Sequence, residues 1–532
     1  MAKAFLFILA ILIYGQAIFG HRHETHEHHH HETHEHPRDI TTATQQHMQK
    51  PWQREPYLQL RRKLLLDEKR ESLGGDLELS PIESKANDVL MKAKCREIYD
   101  GFITGNSFLP SYNFMEVIPK IEKSEVFKIL RDMPKGAVLH AHDSAMASFD
   151  YRFNNLTYRK NLYVCDKNDT VQLKFFKKPD NNCRWKLLSD VRKDPIRAKD
   201  INEKIKRSFT MVTENPNSVY STVDKAWEKF NRIFSSMDYL SYRPVLEDLF
   251  YRNLQELYED NVMYAEIRST LSTFDDTYDG KSYGTFEKTQ IQKDVTDRFV
   301  KDHPDFIGAK VIYAPHRGAD QNRLDYYLKT LTQLKQRFPD FIVGFDLVGQ
   351  EDKGKPLIEF ADKLKSVDPS IPFFFHSGET NWNGESTDLN LLDAVMLNTK
   401  RIGHGYALTK HPLVWKFVQQ LNIAVEVCPI SNQVLGLVED MRNHPAASLF
   451  AKGSPVVVSN DDPALWGAKG LTYDFYEAFM GIMSANSDLR SLKQLAMNSL
   501  IYSSLNDREK KKALSQWQVK WDAFVSKLAK SA

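Results

Sequence analysis

Eight short apolar or β-branched runs recur through the centre of this 532-residue chain, separated mostly by helix-length segments. They are 137–142, 262–268, 307–314, 342–349, 373–376, 401–404, 423–428 and 456–461. Near-continuous apolar strands alternating with helices predict a parallel sheet covered on both faces. Eight of them predict an α/β fold of the TIM (β/α)8 barrel type. The first interval breaks the rhythm, because the stretch from His142 to Val262 is far too long for one crossover helix. It reads as an insertion after the first strand, centred on about residues 150–205. After the eighth run, 471–483, 491–505 and 507–528 read as closing helices, giving a barrel domain over 136–532.

The segments before the barrel differ in kind. Lys3, the apolar run from Ala4 to Tyr14 and the small residues before Gly20 describe a secretory signal peptide over 1–20, cleaved after Ala17 or Gly20. No later run is long and apolar enough to span a membrane. Residues 21–36, HRHETHEHHHHETHEH, hold nine of the 18 histidines. Without an apolar face to fix a metal geometry, the stretch 21–50 reads as a solvated low-complexity tail. A helical pattern then fills 51–135, a candidate interaction module. Within it, Ser80-Pro81-Ile82-Glu83 is a capping box with Pro at the first helical position.

Secretion permits disulfides and glycans. Asn155-Leu156-Thr157 and Asn168-Asp169-Thr170 are sequons at Asn155 and Asn168, and Cys165 and Cys183 lie beside them. Together they predict one exposed element stapled by a Cys165–Cys183 disulfide. With only four cysteines in the chain, the core must come from apolar packing. Lys plus Arg number 72 against 70 Asp plus Glu, a balance that gives no reason to expect a nucleic-acid partner.

The unusual polar residues fall where the predicted strands end. His140 and His142 end the first, His376 the fifth with Glu379 just after it, His404 the sixth, and Asp461 and Asp462 the eighth. Barrel active sites form at the carboxyl ends of the strands. Residues two apart on a strand face the same side, so the two histidines of the first strand point inward together. A third histidine and a carboxylate complete an N3O set suited to zinc. Bound zinc brings the pKa of water towards about 7, and histidine and glutamate nearby supply proton transfer, the parts of a metal-assisted hydrolase.

The motifs PKGAVLHAHD, FDLVGQE, FFHSGET, RIGHG, EVCPISN and SNDDP resemble the adenosine deaminase group of the metal-dependent amidohydrolases. The signal peptide, helical module and cysteine-bearing insert are similar to those of its secreted, growth-factor-related branch. The resemblance runs from about Gln59 to the C-terminus. It implies one zinc ion per subunit on His140, His142, His376 and Asp461. It makes Glu379 the proton donor to purine N1 and His404 the water-activating base. It gives Gly349 and Asp462 the purine ring and Asp143 the ribose, and it makes Trp227 and His316 further substrate contacts. It implies hydrolysis of adenosine or 2′-deoxyadenosine to inosine or deoxyinosine and ammonia, by a homodimer joined through the 51–135 module. A receptor-binding growth factor with secondary catalysis, acting through a cell-surface receptor or glycosaminoglycan, is the alternative from another class. A deaminase of a related purine nucleoside or nucleotide is the third.

Overall fold

A computed structural model of the protein describes residues 53–531 apart from 106–107, 168–169 and 277. The segment read as a signal peptide, the histidine tract and Asn168 of the second sequon lie outside the described residues. The chain divides into two compact units at Asp67. The described part of the first is helical, the start of the helix Arg54–Glu71, on which Leu64, Leu65 and Leu66 are exposed.

The second unit holds the barrel. Its strands are β1 (Gly136–His142), β2 (Val262–Ser269), β3 (Gly308–Tyr313), β4 (Ile342–Phe345), β5 (His376–Ser377), β6 (Arg401–His404), β7 (Ala424–Val427) and β8 (Val456–Val458). All neighbours pair in parallel, in the orders β1-β2-β3-β4 and β5-β6-β7-β8. Two bridges join the halves. Phe345 pairs with Phe373 between β4 and β5, and Ala141 pairs with Asp461 between β1 and the segment after β8. The ring is therefore closed, and the strands are buried because helices cover the outside.

Three strands differ from their predicted bounds by more than one residue at an end. β4 stops at Phe345 and β8 at Val458, earlier than the apolar runs suggest, and the β5 ladder begins only at His376. At each place the chain leaves regular pairing to turn polar side chains inward. Asp461, after β8, and His404, the last residue of β6, have left-handed backbone, φ 57° and 61°, a conformation that carries strain in residues with a Cβ.

Between β1 and β2 lies a three-stranded antiparallel sheet of 162–167, 170–175 and 186–187. A Cys165–Cys183 disulfide closes it, with Cα atoms 6.1 Å apart. Asn155, at the end of the helix Phe149–Asn154, is exposed. The helices Pro195–Phe209 and Val223–Ser235 follow, and Arg243–Glu259 is the crossover into β2. The capping box opens a helix over Pro81–Ile103. Its Glu83 accepts hydrogen bonds from Trp521 Nε1 and Lys493 Nζ, both at 2.7 Å, tying that helix to the closing helices Asp507–Ala529 and Leu489–Ile501. No helix among the described residues is long and apolar enough to cross a membrane.

Candidate active site

The carboxyl ends of β1, β5, β6 and β8 bring His140, His142, His376, His404 and Asp461 together. Nε2 of His142 lies 3.0 Å and Nε2 of His140 3.3 Å from the same oxygen, Oδ1 of Asp461. The His376 ring centre is 4.5 Å from that of His140 and 5.5 Å from that of His142. Ligand atoms of His140, His376, His404 and Asp461 fall within 4.8 Å of one another, and those of His142, Asp461 and Asp462 form an overlapping group. The approach depends on Gly403, where a Cβ would meet His140 Cε1 at 3.2 Å.

Buried carboxylates set the state of two of these rings. His140 Nδ1 lies 2.8 Å from Glu426 Oε2, and His376 Nδ1 lies 2.5 Å from Asp346 Oδ2. Each carboxylate requires a proton on Nδ1, so each Nε2 presents a lone pair to the centre. Arg268 bridges the two carboxylates, at 2.7 Å to Asp346 and 2.8 Å to Glu426. Arg401 links Glu426 to Glu266, at 2.6 and 2.7 Å. Burial opposes the charge on Asp346 and Glu426, but the guanidiniums and histidines outweigh it and hold both well below the usual carboxylate range.

These residues fit a divalent cation. The His140 Nε2 lone pair faces Asp461 Oδ1 at 3.3 Å, and both atoms are buried without a hydrogen-bond partner. Two acceptors turned on each other are repulsive unless a positive charge lies between them. The connected network of Glu266, Asp346, Glu426 and Asp461 holds more carboxylates than its guanidiniums, Arg268 and Arg401, so the buried centre favours a cation. Three imidazoles and one carboxylate also match the donor set zinc favours.

Glu379 lies across this centre, its Oε1 buried, unpartnered and 3.6 Å from His404 Nε2. Burial, reinforced by Asp461 and Glu351, raises its pKa well above the usual value, which favours its protonated form. Glu351 braces the turn beneath, accepting from Gly378 N at 2.9 Å and Glu379 N at 2.7 Å. Burial also pushes Asp462 up to about 8. Burial alone would depress His142, but Asp462 and Asp461 raise it to about 9.

A cavity of about 460 Å³ opens onto the centre. His142, His376, Glu379, His404, Asp461 and Asp462 form its floor, while Asp143, Gly349, His316 and Trp227 line its sides. His140 is buried beneath. Gly349 has φ 106°, and a Cβ there would stand 2.6 Å from His316 Nε2, so only glycine fits beside that ring. Asp143 is oriented by Ser269 Oγ at 2.6 Å and Gln292 Nε2 at 2.8 Å. The outer wall is aromatic, with Phe230, Phe234 and Phe250 beside Trp227. Cys165, Cys183 and Asn155 are not among the lining residues.

Sequence reasoning passed over Asp346, Glu426, Arg268, Arg401 and Glu351. Their signal was a charge inside or just after an otherwise apolar strand, which requires a buried partner. Asp346, Glu351, Glu426 and Arg401 even lie within the quoted motifs.

Two family descriptions match: adenosine deaminase over residues 203–520, and adenosine/AMP deaminase N-terminal over residues 16–130. The chain is 46% identical over 481 residues to an adenosine deaminase from Phlebotomus duboscqi, covering 89% of this chain and 92% of that protein. It is 44% identical over 475 residues to adenosine deaminase 2 of Homo sapiens, covering 88% and 93%. A zinc-bound amidohydrolase from Burkholderia ambifaria has the same fold, with a TM-score of 0.56 at 17% identity over 76% of this chain and 94% of that one. With half of its length matched by one family description and these relatives matched almost end to end, the chain belongs to the adenosine deaminase family and is a hydrolase of that type.

Proposed function

We propose that this protein is a secreted, zinc-dependent deaminase that converts adenosine and 2′-deoxyadenosine to inosine and deoxyinosine with release of ammonia. The observation that carries this reading is the meeting of two opposed groups in one cavity. Lone pairs of His140 and His376, set by Glu426 and Asp346, face Asp461 on one side, and a protonated Glu379 stands on the other. His140, His142, His376 and Asp461 would hold the ion. Zinc, when bound, supplies Lewis-acid activation of a water at neutral pH.

The remaining steps belong to side chains. The N–H of Gly349 and the Asp462 carboxyl hold the purine ring, Asp143 holds the ribose, and Trp227 and His316 close the sides. The water oxygen adds to C6 as Glu379 gives its proton to N1, so no bare negative charge builds on the ring. The proton lost by the water passes to His404 or Asp461, which flank its position, and leaves with the amino group as ammonia. Collapse of the C6 hydroxyl to a carbonyl returns a proton to Glu379.

The N-terminal apolar run supports secretion, and the names of the relatives support adenosine as substrate. Exposed Leu64, Leu65 and Leu66 support a homodimer. The test is product analysis of purified protein with adenosine, 2′-deoxyadenosine and AMP. Inosine and deoxyinosine formed in preference to IMP support the reading, and turnover of AMP alone overturns it.

A further inference from the structure

His404 differs from His140 and His376 in what faces its Nδ1. No carboxylate is there; Asn432 Nδ2 lies 3.3 Å away. The orientation of that amide is decided further back. The backbone N–H of Ala446 donates to His444 Nδ1 at 3.1 Å. A backbone N–H can only donate, so His444 Nδ1 is a lone pair. Burial lowers the pKa of His444 to about 3, keeping the ring neutral with its one proton on Nε2. That proton points at Asn432 Oδ1, 3.0 Å away. The Asn432 oxygen therefore faces His444 and its NH2 faces His404. Turning the amide over would set its NH2 against the His444 Nε2–H, donor against donor, in a site where Asn432, His444 and His404 are all buried.

We infer that Asn432 and His444 are positioning residues that fix His404 as an Nε2–H donor aimed at the reacting centre. Nε2 lies 3.6 Å from Glu379 Oε1 and 3.9 Å from Asp461 Oδ2. Resting on the deaminase reading above, the inference deepens it in two ways. A protonated Nε2 offers no lone pair to a cation, which leaves His142 as the third histidine ligand. It also cannot take a proton from water, so that proton goes to the Asp461 carboxylate. His404 instead donates to the oxygen that attacks C6.

Neutron diffraction from deuterium-exchanged crystals of the whole protein reads the tautomer directly. Deuterium on Nε2 of His404, and none on its Nδ1, is expected; deuterium on Nδ1 alone overturns the inference. Asn432→Asp supplies the kinetic arm. A carboxylate facing Nδ1 draws the proton there and removes the Nε2–H donor, at nearly constant shape. A preorganised donor of this kind is worth about 10²–10³-fold in kcat, so kcat for adenosine falls by that factor while KM and zinc content hold. A purely structural role predicts lower thermal stability with unchanged kcat per zinc-loaded site, and that result overturns the inference. His444→Leu, which frees the amide to turn over, provides a second variant and should lower kcat in the same direction. If the protein turned over no adenosine, the neutron map would still report the tautomer, so the two readings fail separately.

Discussion

Replacing Asp346 by asparagine should weaken metal binding without touching a ligand. Oδ1 of Asp346 accepts from Leu347 N at 2.7 Å and His376 N at 2.9 Å. Oδ2 accepts from His376 Nδ1 at 2.5 Å and Arg268 Nε at 2.7 Å. An amide has one oxygen, and the two backbone donors claim it. Its NH2 then meets two more donors. His376 can relieve one clash by moving its proton to Nε2, which removes the lone pair a cation needs. Loss of such a supporting carboxylate typically lowers metal affinity about 10–100-fold, or about 1.4–2.7 kcal/mol. Arg268, fully buried, also loses one of its two carboxylates, and breaking a buried pair costs about 3–5 kcal/mol of stability. Competition with a chromogenic zinc chelator measures the first effect and denaturant unfolding the second. A folded Asp346→Asn protein with wild-type zinc affinity would refute the tautomer argument.

Other perturbations separate the remaining roles. Glu379→Gln should keep its zinc and lose about 10²–10⁴-fold in kcat, because the amide has no comparably acidic proton, whereas Asp461→Ala should lose zinc and activity together; metal analysis beside steady-state kinetics checks both. Glu477, buried with neither carboxylate oxygen partnered, has its pKa raised to about 8 by burial. The folded state therefore keeps a proton that the unfolded state releases above about 4.3, and stability falls as pH rises from there to about 8. Glu477→Gln should flatten that decline in melting temperatures taken from pH 5 to 8, and an unchanged slope counts against the assignment. Leu65→Glu with Leu66→Glu should convert a homodimer to monomer by sedimentation, with kcat retained. Mitogenic activity that survives Glu379→Gln would favour the growth-factor reading for that activity.

The barrel was legible because its strands are short apolar runs, and His140 and His142 stood out because strand geometry places residues two apart on one side. The ends of β4 and β8 were not legible, since Leu347, Val348 and Ser459 continue the composition of a strand where the regular ladder gives way to isolated hydrogen bonds and a single bridge from Val348 to His316. What ends these strands is the turning inward of Asp346 and Asp461, a tertiary demand. The buried charges were visible one at a time, yet their pairing was not: Glu426, Arg268 and Asp346 come from β7, β2 and the end of β4, and no spacing in the chain joins them. Trp227 and His316 entered only through the family resemblance. Both look ordinary in sequence, one as helix packing and one as a loop residue. Asn432 lies inside a quoted motif and His444 outside all of them, and only the hydrogen bond from Ala446 gives them meaning.

On the proposed function, one bound zinc ion, held by residues from opposite sides of the barrel, makes this chain an adenosine-hydrolysing enzyme. The most direct measurement follows adenosine absorbance with the purified protein as isolated, after removal of metal by a chelator, and after adding back one equivalent of zinc. Turnover, its loss with the metal, and its recovery at one zinc per chain are expected. Full activity in protein shown by elemental analysis to be free of metal would contradict the proposal.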